Sequence, residues 1–199
     1  MKKILNVISS ARGAASNSTQ LANAIIERLT EQPPGSTVKL RDLVDRHYPH
    51  LEESHLNAFF APAEDQTPES KEAAQHSDEA IKEVMEADII LIGVPIYNFN
   101  IPSALKAWLD HLVRAGKTFS YNSGHPEGLV KDKKVYLAIA SGGVFSDGPL
   151  KSYDFAEPYL RMILGFIGIT DITTFRVEGA SIPDLKETAL QKGIESIVI

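Results

Sequence analysis

The sequence predicts an α/β chain with a doubly wound, five-stranded parallel sheet in the strand order 2-1-3-4-5, on three observations. The run Ala87-Asp88-Ile89-Ile90-Leu91-Ile92-Gly93-Val94 is apolar and rich in β-branched residues without alternation. A strand buried on both faces of a parallel sheet reads that way. Four other short apolar runs alternate with helix-period segments, the rhythm of repeated strand–helix crossovers. Crossovers of one hand then leave few possible orders. With 199 residues, 43% of them hydrophobic, the chain has enough material, and slightly more, for a single domain spanning 1–199.

Composition narrows the function classes. No cysteine is present, which removes disulfides, thiolate catalysis and Cys-based metal sites together. No run of 18 apolar residues spans a membrane. Met1-Lys2-Lys3 before Ile4-Leu5-Asn6-Val7-Ile8 faintly resembles a signal peptide, but the apolar stretch is short and broken by Asn6. It is read as the first strand, and a cytoplasmic location is expected. The net charge is −6. Residues 51–90 hold eleven acids against Lys71 and Lys82, a local −9 that leaves the rest near +3. Neither nucleic acid nor membrane is an expected partner. The acidic run is the solvated face of a helix.

Lys3 to Ser9 forms strand 1. The small-residue loop Ser10 to Gln20 follows, then a helix with Leu21, Ala22, Ile25, Ile26 and Leu29 at helical spacing, ended by Pro33-Pro34-Gly35. Thr37 to Leu40 is strand 2. A hydroxyl-rich loop feeding a helix N-terminus suits an anion, because free amides, the dipole and Ser and Asn side chains all point one way. The loop lacks the triphosphate motif and its lysine, and no G-x-G-x-x-G occurs, so a single phosphate monoester fits best. Ordinary N-capping by Ser16 or Ser18 stays open as the alternative.

Residues 43–66 read as an irregular surface loop, its His47, His50 and His55 lacking a metal spacing. Thr67 caps and Pro68 opens a helix to about Met85. After the central strand, Pro95 stops the ladder for want of an N–H, and the next helix starts at Pro102. Tyr97, Asn98 and Phe99 lie between, at a strand's carboxyl end, where open α/β sheets bind ligands. Two rings around an amide suit a flat, hydrogen-bonding heterocycle; aromatics merely capping the core are the alternative. The helix from Pro102 to Val113 packs Leu105, Trp108, Leu109 and Leu112 inward. Thr118 to Gly128 reads as a hairpin or lid. Strand 4, Val135 to Ala140, ends at Ser141-Gly142-Gly143, where backbone amides can approach a ligand, or simply turn. Tyr159 to Ile169 is a helix apolar on nearly all sides, hence fully buried, often by another subunit. Ile172 to Val177 is strand 5, and Ile182-Pro183-Asp184 opens the last helix.

In the order 2-1-3-4-5, strands 1, 3 and 4 are neighbours, so the three loops converge on one edge. One takes a phosphate and two take a planar polar ring, which together describe flavin mononucleotide (FMN).

These residues also resemble a known family. Ser10…Ser16-Asn17-Ser18-x-Gln20-Leu21, Pro95-x-Tyr97-Asn98-Phe99-Asn100-Ile101, Arg114-Ala115-Gly116-x-Thr118-Phe119-x-Tyr121, Pro126-Glu127-Gly128-Leu129 and Gly165-Phe166-Ile167-Gly168-Ile169 are similar to motifs of the FMN-dependent NADH-azoreductases, also called FMN-dependent NADH:quinone oxidoreductases. The resemblance covers essentially the whole chain. It implies a flavodoxin-like fold, a homodimer with active sites at the interface, and two-electron reduction of quinones and azo compounds with NADH or NADPH as donor. It carries the cofactor contacts onto Ser10, Ser16, Asn17 and Ser18 for the phosphate. For the ring it carries them onto Pro95, Ile96, Tyr97, Asn98 and Phe99, and onto Ala140, Ser141, Gly142 and Gly143. Asn98 and the Gly143 N–H are expected at the ring's polar edge, with Tyr121 overhanging the pocket and Phe60 at its rim. Two departures stand out: Ser141 replaces a frequent arginine, and Phe60 replaces an arginine found in some members. No metal and no protein acid or base is required, since the flavin carries the hydride. A flavodoxin-type electron carrier is the alternative from another class; the acidic segment suits it, while the apolar helix, the lid and the extra length suit the enzyme.

Overall fold

The computed structural model describes residues 1–31, 35–62, 65, 67–121 and 124–199. The breaker at Pro33-Pro34, Glu64 of the acidic run and Asn122-Ser123 at the lid tip lie outside them. Strands β1 (Lys3–Ile8), β2 (Thr37–Asp42), β3 (Ile89–Pro95), β6 (Lys134–Ala140) and β7 (Asp171–Val177) form one sheet in the order β2-β1-β3-β6-β7. Every pairing is parallel, which is the expected 2-1-3-4-5 order. A two-stranded antiparallel ribbon, β4 (Phe119–Ser120) with β5 (Glu127–Gly128), stands apart as the expected hairpin.

β3 is buried along its whole length, and its side chains alternate between two cores. Ile90, Ile92 and Val94 face helices α3 (Pro68–Glu86), α4 (Ser103–Leu112) and α5 (Ala156–Phe166), with Trp108 fully enclosed among them. Ile89 and Leu91 face α1 (Asn17–Glu31) and α6 (Ala189–Glu195). Two-sided burial explains why β3 carries no polar alternation.

Several expectations shift. Residues 53–60 are not irregular: Glu53–Phe60 forms α2, capped by a box in which Glu52 and His55 exchange side-chain-to-backbone bonds. His55 is therefore buried and meets the enclosed His111 ring edge-on at 5.1 Å, while His47 and His50 stay exposed. Thr67 caps α3 through Ser70 N, as expected. The acidic face of α3 is not wholly solvated, because Glu83 is buried and accepts from Arg41 Nε at 3.0 Å and Lys39 Nζ at 2.9 Å. Burial alone would raise the Glu83 carboxyl; these two cations hold it below its ordinary value. Pro102 is the N-cap of α4 rather than its first residue. The last helix begins at Ala189, after turns through Ile182 and Leu185. α5 begins and ends three residues early, and it is only partly buried in this single chain: Leu160 and Leu164 are enclosed, whereas Met162 is 57% exposed.

Two motifs singled out in the sequence meet in space. A β-carbon on Gly128 would lie 2.1 Å from Gly168 N, so the ribbon seats backbone against backbone on the end of α5. Val130 N donates to Ile167 O at 2.9 Å, and Gly168 sits at a φ of 106° that disfavours other residues. The substitution Gly128→Ala should cost about 1–3 kcal/mol in denaturant unfolding, because backbone cannot yield as a side chain does. A neutral outcome would show that the ribbon is not seated there.

Candidate functional site

The site grows from the carboxyl ends of β1, β3 and β6. Register places Ile8 beside Gly93 and Pro95 beside Ala140, so the three loops leave the sheet together. Pro95 ends β3, yet Ile96 N still donates to Ala140 O at 2.8 Å, one donor beyond the expected stop.

The first loop turns through a short 3-10 segment, Gly13–Ala15, and delivers Ser16 to the start of α1. Ser10, Ser16 and Ser18 are buried there, and the Ser16 and Ser18 hydroxyls lie 2.9 Å apart. The first-turn amides of a helix have no intrahelical acceptor. Beside them the buried Thr19 Oγ1 has no hydrogen-bond partner. An orphaned buried hydroxyl next to free amides and paired serines fits an anionic oxygen ligand such as a phosphate. Thr19 was outside the expected set, although it stands in the same hydroxyl run.

The second loop is a tight turn in which Tyr97 and Asn100 exchange N–H···O bonds of 3.0 Å each way. Its central residues Asn98 and Phe99 both have positive φ, 49° and 70°. The rings of Tyr97 and Phe99 diverge instead of flanking one spot. Tyr97 Oη bonds to Ser10 Oγ at 3.1 Å, tying the turn to the first loop. The Phe99 ring meets Phe145 at 6.1 Å and Tyr153 at 5.7 Å, and Phe99 O accepts from Phe155 N. Asn98 is exposed between them. On the turn's outer side a cavity of about 540 Å3 runs past Pro102, Lys106 and Tyr159. Burial would lower the Lys106 ammonium, but Asp110 holds it above its ordinary value. Burial pushes the Tyr159 hydroxyl up, so it stays protonated.

The third loop is zipped to the segment after β7. Ser141 N donates to Val177 O, and the amides of Gly179, Ala180 and Ser181 donate to the carbonyls of Gly143, Ser141 and Gly142. Among the described residues this leaves the Gly142 and Gly143 amides without a protein acceptor. Gly142 also has a packing reason, since a β-carbon there would lie 2.6 Å from Ser181 Oγ. Ser141 turns its hydroxyl back to Gly143 O at 2.8 Å. Residues 179–181 carried no sequence signal, because their part is played by backbone alone.

Both rim candidates are exposed, Phe60 at 73% and Tyr121 at 61%. Tyr121 meets Phe119 edge-on at 5.5 Å, and Phe119 meets Phe166 at 4.7 Å, which anchors Tyr121 to the end of α5.

Comparison with known proteins gives this geometry a context. The sequence model of the family described as flavodoxin-like fold matches residues 2–198. A protein of Beijerinckia indica named FMN-dependent NADH:quinone oxidoreductase is 45% identical over 99% of this chain and 98% of its own length. One of the same name from Herminiimonas arsenicoxydans is 46% identical over 91% of this chain and 89% of its own. Among solved structures, an azoreductase from Bacillus anthracis superposes with a TM-score of 0.90 at 35% identity, covering 98% of this chain and 96% of that one. Another, an FMN-dependent NADH-azoreductase of Bacillus anthracis crystallised in complex with FMN, has a TM-score of 0.86 at 26% identity, covering 97% and 94%. The chain, with its parallel sheet and three convergent loops, belongs to the flavodoxin-like FMN-dependent NADH:quinone oxidoreductase family.

Proposed function

We propose that this protein is an FMN-dependent NAD(P)H oxidoreductase that reduces quinones and aromatic azo compounds by two-electron, ping-pong transfer. One observation carries the reading. A buried hydroxyl cluster with an orphaned Thr19 Oγ1, the Tyr97–Asn100 turn tied to it through Ser10, and a third loop with free Gly142 and Gly143 amides share one sheet edge. Ser16, Asn17 and Ser18, with the first-turn amides of α1, would hold the phosphate, and Thr19 would add a donor. Pro95 to Phe99 and Ala140 to Gly143 would hold the ring, with Asn98 and the Gly143 N–H at its polar edge. When bound, FMN supplies a two-electron carrier between nicotinamide and acceptor. The protein's own part is to bind, orient and leave one side open, and no side-chain acid or base is needed.

The names of the relatives favour this enzyme over a flavodoxin-type electron carrier. A homodimer belongs to the same reading. Exposed Met162, Tyr153 and Phe155 on α5 and its approach supply apolar surface for a second copy. A cytoplasmic location is also part of it, since the nicotinamide donor is held there.

Protein released from heat treatment should yield FMN and no FAD by chromatography; FAD, or no flavin, would end the reading. The substitution Ser18→Ala should weaken FMN by about 1.5–3 kcal/mol, the worth of a hydrogen bond to a charged group. The apo-protein should lose only about 1 kcal/mol, the scale of a local cap or a neutral bond such as that to Ser16. FMN titrations and unfolding of both apo-proteins separate the two, and unchanged affinity with lowered stability would return the loop to plain capping.

Donor and acceptor must share the one open side, because the sheet-edge loops occupy the other and no second nucleotide motif exists in the sequence. Double-reciprocal plots should therefore be parallel, with excess acceptor inhibiting competitively against NAD(P)H. Anaerobically, NAD(P)H alone should bleach the visible absorbance and a later quinone should restore it. Intersecting lines, with bleaching that needs both substrates, would refute the shared pocket.

A further inference from the structure

Arg176, the penultimate residue of β7, is largely enclosed and holds three carboxylates. Its Nη1 donates to Glu178 at 3.2 Å, its Nε donates to Glu157 at 3.2 Å, and its Nη2 reaches both Asp154 and Glu157. Two of the carboxylates fasten backbone elsewhere. Glu178 Oε1 accepts from Phe145 N at 2.8 Å and Ser146 N at 2.9 Å. Asp154 Oδ1 accepts from Ala156 N at 3.0 Å and Glu157 N at 3.1 Å, capping the start of α5. Glu157 also takes Thr174 Oγ1 and Arg161 Nε, which closes the seam between α5 and β7.

The two segments gripped in this way, 143–147 and 153–157, carry Phe145 and Tyr153. Those are the rings that meet Phe99 beside the Tyr97–Asn100 turn. Phe155 N donates to Phe99 O, joining the second segment directly to the turn. None of these segments is a sheet strand, and without Arg176 the carboxylates of Asp154, Glu157 and Glu178 lose the cation they share, with Arg161 paired to Glu157. Their mutual repulsion would release the bonds to 145, 146, 156 and 157. The cluster thus braces the rings that pack on Phe99 beside the turn.

We infer that Arg176 is a positioning residue: by gripping Asp154, Glu157 and Glu178 it sets Phe145 and Tyr153 against Phe99 as the aromatic side wall of the acceptor pocket. The inference rests on the proposed reading that the ring lies on the loops at 96–99 and 140–143. Arg176 acts on the reaction only through that wall. A planar guanidinium suits the task, since it serves three acceptors in fixed directions where an ammonium has none.

The test uses the FMN-loaded enzyme with NADH and 2-methyl-1,4-naphthoquinone, comparing wild type with Arg176→Met and Arg176→Lys. For Arg176→Met the quinone KM should rise about tenfold while kcat falls less than threefold, the pattern of lost acceptor binding rather than lost chemistry. FMN affinity, read by fluorescence quenching, should change less than threefold, and Arg176→Lys should recover only part of the KM. A folded Arg176→Met enzyme with the wild-type KM would overturn the inference, whatever its melting temperature. Should Arg176→Met fail to fold, Glu178→Gln removes one arm of the cluster at nearly constant shape. It should raise the KM by a smaller factor, and an unchanged KM there would equally overturn the inference. Wild-type protein that binds no FMN or ignores the quinone would instead overturn the underlying reading, and the inference with it.

Discussion

Two consecutive side-chain-bearing residues at positive φ, Asn98 and Phe99, make the turn on which the site depends. Asparagine tolerates this region; for phenylalanine it costs on the order of 1–3 kcal/mol. The turn persists because its surroundings over-determine it. Tyr97 and Asn100 close it with a pair of backbone bonds, Ser10 holds the Tyr97 hydroxyl, and Phe155 holds the Phe99 carbonyl. Beneath it stands β3, buried on both faces and flanked by β1 and β6, which cannot shift without breaking both cores. A strained turn on a rigid strand is thereby fixed from both flanking loops.

The buried charge clusters sit at the seams of the fold. Arg41 with Glu79 and Glu83 locks the edge strand β2 to α3, and the Arg176 cluster locks β7 to α5. The loops themselves offer hydroxyls, amides and rings. A phosphate meeting the first loop finds Arg12 as its one charged residue and no competing carboxylate between Ser10 and Gln20. The hydroxyls and amides around it stabilise an anion through fixed dipoles, with little of the entropy loss that long cationic side chains incur.

The sheet and the three loops were legible because each rests on local chemistry: β3 is an unbroken apolar run, Thr67-Pro68 is a helix start, and Ser16-Asn17-Ser18 is a run of donors. Helix α2 was not, because it is short and its cap is a Glu–His box in place of the usual hydroxyl or amide. The last helix was placed early because Ile182-Pro183-Asp184 is a good start signal that the chain spends on turns. Glu83 read as solvated because its partners Lys39 and Arg41 lie some forty residues upstream. The same distance in sequence hid the wall of the site: nothing local links Phe99 to Phe145 and Tyr153, or either to Arg176. α5 read as buried because a wholly apolar pattern looks alike whether a core or another subunit covers it.

The zipper between the third loop and residues 179–181 has a consequence for how the molecule is made. The loop that offers its amides near Gly143 is backed by residues 179–181, which are synthesised after it, whereas Ser10 and Ser16 precede both by more than a hundred residues. A nascent chain that has emerged only through β3 has its hydroxyl loop but neither β6 nor the strand that braces it. Parallel pairings over such separations close slowly, since loop entropy is lost before the contacts form. Capture of a ligand across these loops therefore waits for residues 179–181, and until β6 has emerged the first strands wait with an edge of β3 unpaired.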